Sequence, residues 1–188
     1  MALIVKVGTA DDDTFDFSNR ADDRFDISGL GGDDKITGGK LNDILRGGGG
    51  NDVMKGEAGN DRMLGGAGND VLFGGDGKDF LNGGSGVDFL NGNAGDATLT
   101  GGGGTDNFQV DEGAGRIFIN DFTDDVDTLL LDGDFFPGKT VTQILQRFGS
   151  SSGGDSAIDL SRTGADAPRI ILLGVDNIFD LTDDITIV

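Results

Sequence analysis

The chain has 188 residues, 34 acidic and 14 basic side chains, a net charge of −20 and 36 glycines. It has no cysteine, histidine, tryptophan or tyrosine, which excludes disulfides, thiolate or imidazole metal sites and histidine-based catalytic triads. The charge disfavours nucleic acid as a partner, no apolar run approaches the ~20 residues of a membrane-spanning helix, and so acidic and glycine-rich a chain stays expanded without a counter-ion.

The first residues, MALIVKV, read as a strand broken by Lys6, too short and wrongly flanked for a secretory signal. Two ten-residue units follow, TADDDTFDFS from Thr9 and NRADDRFDIS from Asn19. They align Asp13 with Asp23, Phe15 with Phe25 and Phe17 with Ile27, so each reads as an acidic turn feeding a strand with alternate apolar residues inward. Asp13 and Asp23 are candidate cation ligands there, and equally candidates for a solvated acidic loop.

From Gly29 to Gln109 the chain divides without a gap into nonapeptides that begin at Gly29, Gly38, Gly47, Gly56, Gly65, Gly74, Gly83, Gly92 and Gly101. Clear copies are GGGGNDVMK from Gly47 and GGAGNDVLF from Gly65. Clustered glycines are useful where the backbone must turn tightly or expose its carbonyls. Gly47, Gly48, Gly50, Gly65, Gly66, Gly68, Gly83, Gly84 and Gly86 do so in three copies, with Gly59 and Gly77 in two others. The sixth position is Asp34, Asp43, Asp52, Asp61, Asp70, Asp79, Asp88 and Asp106, broken once by Ala97. Carboxylates beside carbonyls make an oxygen-only site, which suits Ca²⁺ rather than Mg²⁺ or Zn²⁺. Two residues on stands a large apolar residue: Ile36, Leu45, Met54, Met63, Leu72, Leu81, Leu90, Leu99 and Phe108. Turn, short strand, turn, short strand makes a coil of about 18 residues, rising one strand spacing of roughly 4.8 Å.

These copies match the G-G-x-G-x-D-x-U-x pattern, with U a large apolar residue, and the chain resembles the RTX family of secreted calcium-binding proteins. The resemblance covers roughly half the chain in the repeats alone. It implies a right-handed parallel β-roll, all-β, with ions held between successive turns on each side. On that geometry Asp34, Asp52, Asp70, Asp88 and Asp106 line four complete sites on one side. The other side is worn, because Leu41 and Glu57 replace glycines and Ala97 replaces the aspartate; the pairs Asp43 with Asp61 and Asp61 with Asp79 remain. About six calcium ions are expected, with Asp96, one residue early, a further candidate.

After Gln109 the composition changes. RIFINDFTDDVDTLLL, from Arg116, reads as two strands around an acidic turn. Lys139 to Phe148 reads as a short helix with Val141, Ile144, Leu145 and Phe148 on one face. Gly149 to Asp155 reads as a flexible serine–glycine loop, and Ala157–Leu160, Arg169–Leu173 and Asp184–Val188 as strands. This succession is similar to the C-terminal flank of RTX exoproteins, which implies a cap that carries the signal read by type I secretion machinery. The expected division is an N-terminal cap (1–28), the roll (29–109) and a C-terminal flank (110–188).

Two enzyme motifs fail on context. Gly133 to Thr140, GDFFPGKT, matches the P-loop pattern, but about 55 residues follow where a nucleotide-binding fold needs several crossover units, and the charge repels phosphate. GSSSG, from Gly149, matches a nucleophile elbow that has no histidine to serve it. The first functional reading is therefore a secreted module, without catalysis, that folds on calcium. The second is a recognition or adhesion module, similar to the carbohydrate-contacting R-modules of alginate epimerases, in a larger exoprotein or a fragment of one. Missing Trp and Tyr argue against sugar stacking, and the net charge of −20 argues against polyuronates except through bridging Ca²⁺. Val53, Val71 and Phe89 occupy the outward seventh position of successive odd copies, with Phe73 beside them. That column needs a cover: the flank, a second copy or a passenger domain. The pairing of columns gives a first expected outcome. Asp70→Ala, in the intact column, raises the calcium midpoint of folding more than Asp79→Ala; equal midpoints would sink the distinction between the columns.

Overall fold

A computed structural model describes residues 2–111, 114–123, 126–131, 149–152, 155–159, 169–173, 175 and 184–188. They form an all-β parallel solenoid of about seven turns, with no helix among the described residues. One sheet stacks, in parallel, Leu3–Val7 (β1), Arg24–Ser28 (β3), Ile44–Gly49 (β5), Arg62–Ala67 (β7), the later part of Val71–Ser85 (β8), Gly95–Gly103 (β10), Ala114–Ile119 (β12) and Arg169–Leu173 (β16). The other stacks Thr14–Asp16 (β2), Lys35–Thr37 (β4), Val53–Ala58 (β6), the first part of β8, Phe89–Asn91 (β9), Asn107–Val110 (β11), Thr128–Leu131 (β13) and Ile185–Ile187 (β17). Both sheets run unbroken across residues 28/29 and 109/110, so the nonapeptides are the middle of one longer solenoid.

One large apolar side chain per copy carries the core within the repeats, while β3, β12, β13 and β16 outside them bury two each, Phe25 with Ile27, Ile117 with Ile119, Leu129 with Leu131 and Ile170 with Leu172. In one sheet Ile27, Leu45, Met63, Leu81, Leu99, Ile119 and Leu172 stack in register, and in the other Ile36, Met54, Leu72, Leu90, Phe108, Leu129 and Ile185. All are buried. Full burial of such a side chain stabilises by roughly 1.5–3 kcal/mol, and each ladder residue has one neighbour above and one below. The core is therefore narrow, and the turns must be fixed by something other than apolar burial.

The copy from Gly47 shows what the glycines do. A Cβ at Gly47 would collide with the Oδ2 of its own Asp52 and lie 2.8 Å from the Gly65 carbonyl oxygen. Gly48 has φ +124° and presses against the Leu30 carbonyl one coil below, so a side chain is excluded there by sterics and conformation alike. Gly49 faces open space, with nothing within 4 Å of a Cβ. This third position accordingly varies freely, as Lys40, Ala58, Ala67, Asp76 and Ser85 in other copies.

The serine–glycine segment departs from expectation. It is not a loop: Gly149–Ser152 (β14) pairs antiparallel with Asp155–Asp159 (β15), Ser152 opposite Asp155, and β15 pairs antiparallel with β16. Two arms separated by a Gly–Gly pair are a hairpin signature, and the backbone ladder overrides the low strand propensity of serine. Gly149–Ser152 is therefore a strand, not a linker. The helix expected over Lys139–Phe148 lies outside the described residues. No helix among the described residues is long and apolar enough to cross a membrane. With calcium saturating, Gly49→Ala should leave the melting temperature nearly unchanged. Gly48→Ala should lose at least about 1 kcal/mol, the scale for an incompatible positive-φ substitution; equal melting temperatures would refute the assignment of turn positions.

Candidate metal sites in the turns

The aspartates two residues before each core side chain point into the turn and are buried: Asp34, Asp52, Asp70, Asp88 and Asp106 on one side, Asp43, Asp61 and Asp79 on the other. Each uses one oxygen to clamp the coil below. Oδ1 of Asp52, Asp70 and Asp88 accepts the N–H of Asp34, Asp52 and Asp70, each at 2.8 Å, and Oδ1 of Asp106 accepts that of Asp88 at 2.9 Å. On the other side Asp43, Asp61 and Asp79 accept in the same way from Phe25 (2.6 Å), Asp43 (2.8 Å) and Asp61 (2.9 Å). The shared partner spacing, 18 residues, is the length of one regular coil.

The second oxygen is different. Oδ2 of Asp34, Asp52, Asp61, Asp70, Asp79 and Asp88 is buried and accepts no hydrogen bond. It lies against the first glycine of its own copy, close to the carbonyl of the corresponding glycine one coil above, as at Gly65, where Asp70 Oδ2 and the Gly83 carbonyl converge. A buried carboxylate oxygen without a partner costs several kcal/mol unless a proton or a cation meets it. Burial pushes the carboxyl groups up: to about 8 at Asp61 and about 6 at Asp52, Asp70, Asp79 and Asp106. Neighbouring aspartates in the columns add to the rise at Asp52, Asp61, Asp70 and Asp106. Asp34, Asp43 and Asp88 are raised as well, chiefly by burial. The donors on offer are carboxylate and carbonyl oxygens alone, which fit a hard cation of calcium type. Among the described residues no three acidic side chains gather at one point, so a cation here would draw most of its ligands from the backbone.

Several sequence candidates are closed instead of open. Asp43 Oδ2 accepts the Gly39 N–H at 2.7 Å. In all eight other copies the second residue has positive φ (Gly48 +124°, Gly66 +123°, Gly75 +107°, Gly84 +116°, Gly102 +104°, Leu30 +81°, Glu57 +77°, Asn93 +55°), and Gly39 lies outside that region, which lets its N–H meet the carboxylate. Asp13 Oδ2 is met by the Thr9 N–H and hydroxyl at 2.6 and 3.0 Å. Asp23 pairs with Arg20 and accepts the Ala2 N–H. Asp96 does not reach a site: it accepts the Arg116 N–H and pairs with the Arg116 guanidinium at 3.1 Å. Behind it, Ala97 and Ile117 fill the space beside Gly92 that a carboxylate occupies in other copies.

Two further sets of residues belong to the turns. Asp127 extends the first column beyond the repeats, accepting the Asp106 N–H on Oδ1 (2.8 Å) and the Thr123 N–H on Oδ2 (2.9 Å). Its Asp127–Thr128–Leu129 triplet repeats the aspartate-x-apolar pattern, but a 21-residue spacing hides it from a nonapeptide alignment. The fifth position forms a second ladder of opposite direction. Side chains of Asp33, Asn51 and Asn69 accept the N–H of Asn51, Asn69 and Val87 one coil above, and Asn42 and Asn60 those of Asn60 and Lys78. The recurrence of Asn at that position is the signal that could have found it.

The open and closed aspartates should behave differently. Asp61→Asn removes an open oxygen and should raise the calcium midpoint of folding several-fold, while Asp43→Asn, whose oxygens both meet amides, should move it little. Titration of the two variants by circular dichroism checks this, and equal shifts would refute it.

Comparison with known proteins comes to the same turns. The family model described as the RTX calcium-binding nonapeptide repeat matches in four copies, over residues 28–63, 37–72, 55–90 and 82–117. A search of curated proteins found no match. Among solved structures, the extracellular lipase LipA from Serratia marcescens is similar, at 15% identity and a TM-score of 0.40, over 90% of this chain and 41% of that one. The chain thus spans well under half the length of that structure. The matched copies together span residues 28–117, the stretch that holds the glycine turns and the buried aspartates from Asp34 to Asp106, and these repeats belong to the RTX calcium-binding nonapeptide repeat family.

Proposed function

We propose that the chain is an extracellular module without catalysis of its own that folds when Ca²⁺ enters its turns. RTX repeats bind calcium. The observation that carries the reading is the set of six buried Oδ2 atoms without partners, at Asp34, Asp52, Asp70 and Asp88 on one side and Asp61 and Asp79 on the other. Bound there with the adjoining glycine carbonyls, calcium supplies positive charge to oxygens that the fold removes from water and leaves unpaired. About six ions would convert binding free energy into folding free energy. Extracellular calcium modules bind at roughly 10⁻⁴ to 10⁻³ M, so such a chain stays unfolded at cytosolic calcium and folds outside the cell. Export by type I machinery requires a chain that can be threaded, and the proposal assigns the signal and a capping role to residues 110–188, with residues 1–28 capping the other end.

The column of Val53, Val71 and Phe89 supports a contact on the outer face of the second sheet. The three stand in register and half-buried, with Phe73 tilted against Phe89 at 5.9 Å and the Lys55 ammonium 5.8 Å from the Phe73 ring centre. A passenger domain or a second copy would complete this cover.

Circular dichroism tests the central reading. The chain should be disordered in EGTA and gain its β signal with a midpoint of roughly 10⁻⁴ to 10⁻³ M Ca²⁺; a full β signal under chelation would sink the proposal. Metal-free behaviour should also depend on pH. Burial in the folded state pushes the carboxyl groups up from the usual 3.8 to about 6 at Asp52, Asp70, Asp79 and Asp106 and to about 8 at Asp61. Raised acids bind protons preferentially in the folded state, so their contribution is present below pH 4 and is lost as pH rises through 6 to 8. In calcium-free buffer the β signal should therefore grow from pH 7.5 to 5; a signal that falls would contradict the buried, unpartnered state of these carboxylates.

A further inference from the structure

Beside the column of Val53, Val71 and Phe89, the second sheet carries a cavity of about 290 Å³ lined by Lys55, Glu57, Phe73, Gly75 and Asn93. Two neighbouring columns build it. In one, Lys55, Phe73 and Asn91 stand in register as the ninth residues of their copies. In the other, Glu57, Gly75 and Asn93 are the second residues of the copies from Gly56, Gly74 and Gly92, with Gly75 one coil above Glu57. Gly75 can bear no side chain, since a Cβ there would lie 2.0 Å from the Glu57 carbonyl oxygen. The gap it leaves between Glu57 and Asn93 opens the cavity, and Phe73 walls it.

Three observations mark the cavity as a binding site. Lys55 and Glu57, two residues apart on β6 and both exposed, form no ion pair with each other or with any described residue. The Lys55 ammonium lies instead over the Phe73 ring, so two opposite charges line one space unpaired. Glu57 and Asn93 hold φ of +77° and +55°, at a turn position that five other copies fill with glycine at positive φ. A glutamate is strained there, and what the strain secures is a carboxylate on the cavity. Asn93 Nδ2 donates to Asp111 Oδ2 at 3.2 Å, which leaves Asn93 Oδ1 without a protein donor among the described residues.

From this arrangement we infer that the cavity binds a free α-amino acid with an apolar side chain. Its carboxylate meets the Lys55 ammonium, its ammonium meets the Glu57 carboxylate and Asn93 Oδ1, and its side chain packs on the Phe73 ring. Such a ligand carries both charges close together and no net charge, so the −20 of the chain does not repel it. A simple anion would be repelled, and a simple amine would leave Lys55 set against it. The volume stands at the lower end of the roughly 300–1,000 Å³ of small-molecule pockets, which suits a single amino acid. None of the turn aspartates takes part. The site nevertheless adjoins the turn, since the Gly74 carbonyl, one residue before Gly75, converges with Asp61 Oδ2 beside Gly56.

The test is a titration of the full, calcium-loaded chain with L-phenylalanine, followed by backbone amide chemical shifts. Phenethylamine, which lacks the carboxylate, and 3-phenylpropionate, which lacks the ammonium, serve as the comparison probes. L-Phenylalanine should bind and move the amides of Glu57, Gly75 and Asn93. Each probe should bind at least about tenfold more weakly, the worth of one charge-assisted hydrogen bond. Lys55→Met should erase the preference over phenethylamine. Glu57→Gly should erase the preference over 3-phenylpropionate, and it separates binding from folding. It restores the glycine of the repeat, so its calcium midpoint should equal or fall below that of the wild type while L-phenylalanine binds at least about tenfold more weakly. Absence of shifts at millimolar L-phenylalanine would overturn the inference, as would equal affinity for either probe or undiminished binding by Glu57→Gly. Circular dichroism on the same samples reports calcium-driven folding separately. A chain that folded without calcium would carry the same cavity and be titrated in the same way.

Discussion

Each turn of this solenoid depends on a carboxylate that is half satisfied. One oxygen of each buried aspartate accepts the amide of the coil below, at 2.6 to 2.9 Å, and fixes the vertical register. The other oxygen, in six of them, faces glycine backbone with no donor. The two demands conflict unless something positive enters. An amide clamp contributes about 1 kcal/mol, more with a charged acceptor, and burying an unpaired charge costs several. A roll built this way is unfavourable on its own and becomes favourable with a cation. Ion dependence is therefore a property of the lock that sets the register, not an addition to a fold already stable.

The exceptions follow the same rule. Where the coil departs from 18 residues, several carboxylates find protein donors for the oxygen that the regular copies leave open, although Asp34, 21 residues beyond Asp13, keeps an open Oδ2. Asp13 has Thr9, and Asp127, 21 residues beyond Asp106, has Thr123. Asp111 is held by the side-chain amides of Asn91, Asn93 and Gln109. Asp121 takes the amides of Gly101 and Gly102 at 2.9 and 2.8 Å. The regular copies lack these donors because their second residue is turned to positive φ, which sends its N–H away from the carboxylate. Gly39 shows the converse inside the repeats: without that rotation its amide closes on Asp43. Whether a turn is open to metal is thus decided by one backbone rotation.

Much of this was legible in the sequence, and the limit has a physical basis. A strict nine-residue period with one apolar residue per copy leaves a single way to bury it, so the coil, its two sheets and the inward columns could be read directly. The eight repeat aspartates could be read too, since glycine turns and carboxylates recur together. What could not be read was the state of the second oxygen. Asp43 and Asp61 look alike in sequence, and φ at Gly39 separates them. Asp127 escaped because its coil is longer, and the β14–β15 hairpin because serine and glycine suggest a loop until backbone pairing is considered. The ladder at position five was visible as recurrent Asn but carries no charge pattern to draw notice.

The two ladders divide the work of holding a narrow core. The sixth-position aspartates accept from the coil below and the fifth-position side chains from the coil above, so an inner coil such as that of Asn69 and Asp70 is tied in both directions. With position eight committed to the core and positions one, two and four to the turn, four positions carry no common constraint: three and five, at the turn surface, and seven and nine, on the sheet faces. Position five is drawn into the ladder wherever it is Asn or Asp, and Val87 shows that a coil survives without it. The sheet faces are left as the surface where sequence can change at little cost to folding. Among the described residues it is there that Arg62, without an ion-pair partner, the exposed Phe80 and the side chains of Asn82 and Thr100 stand.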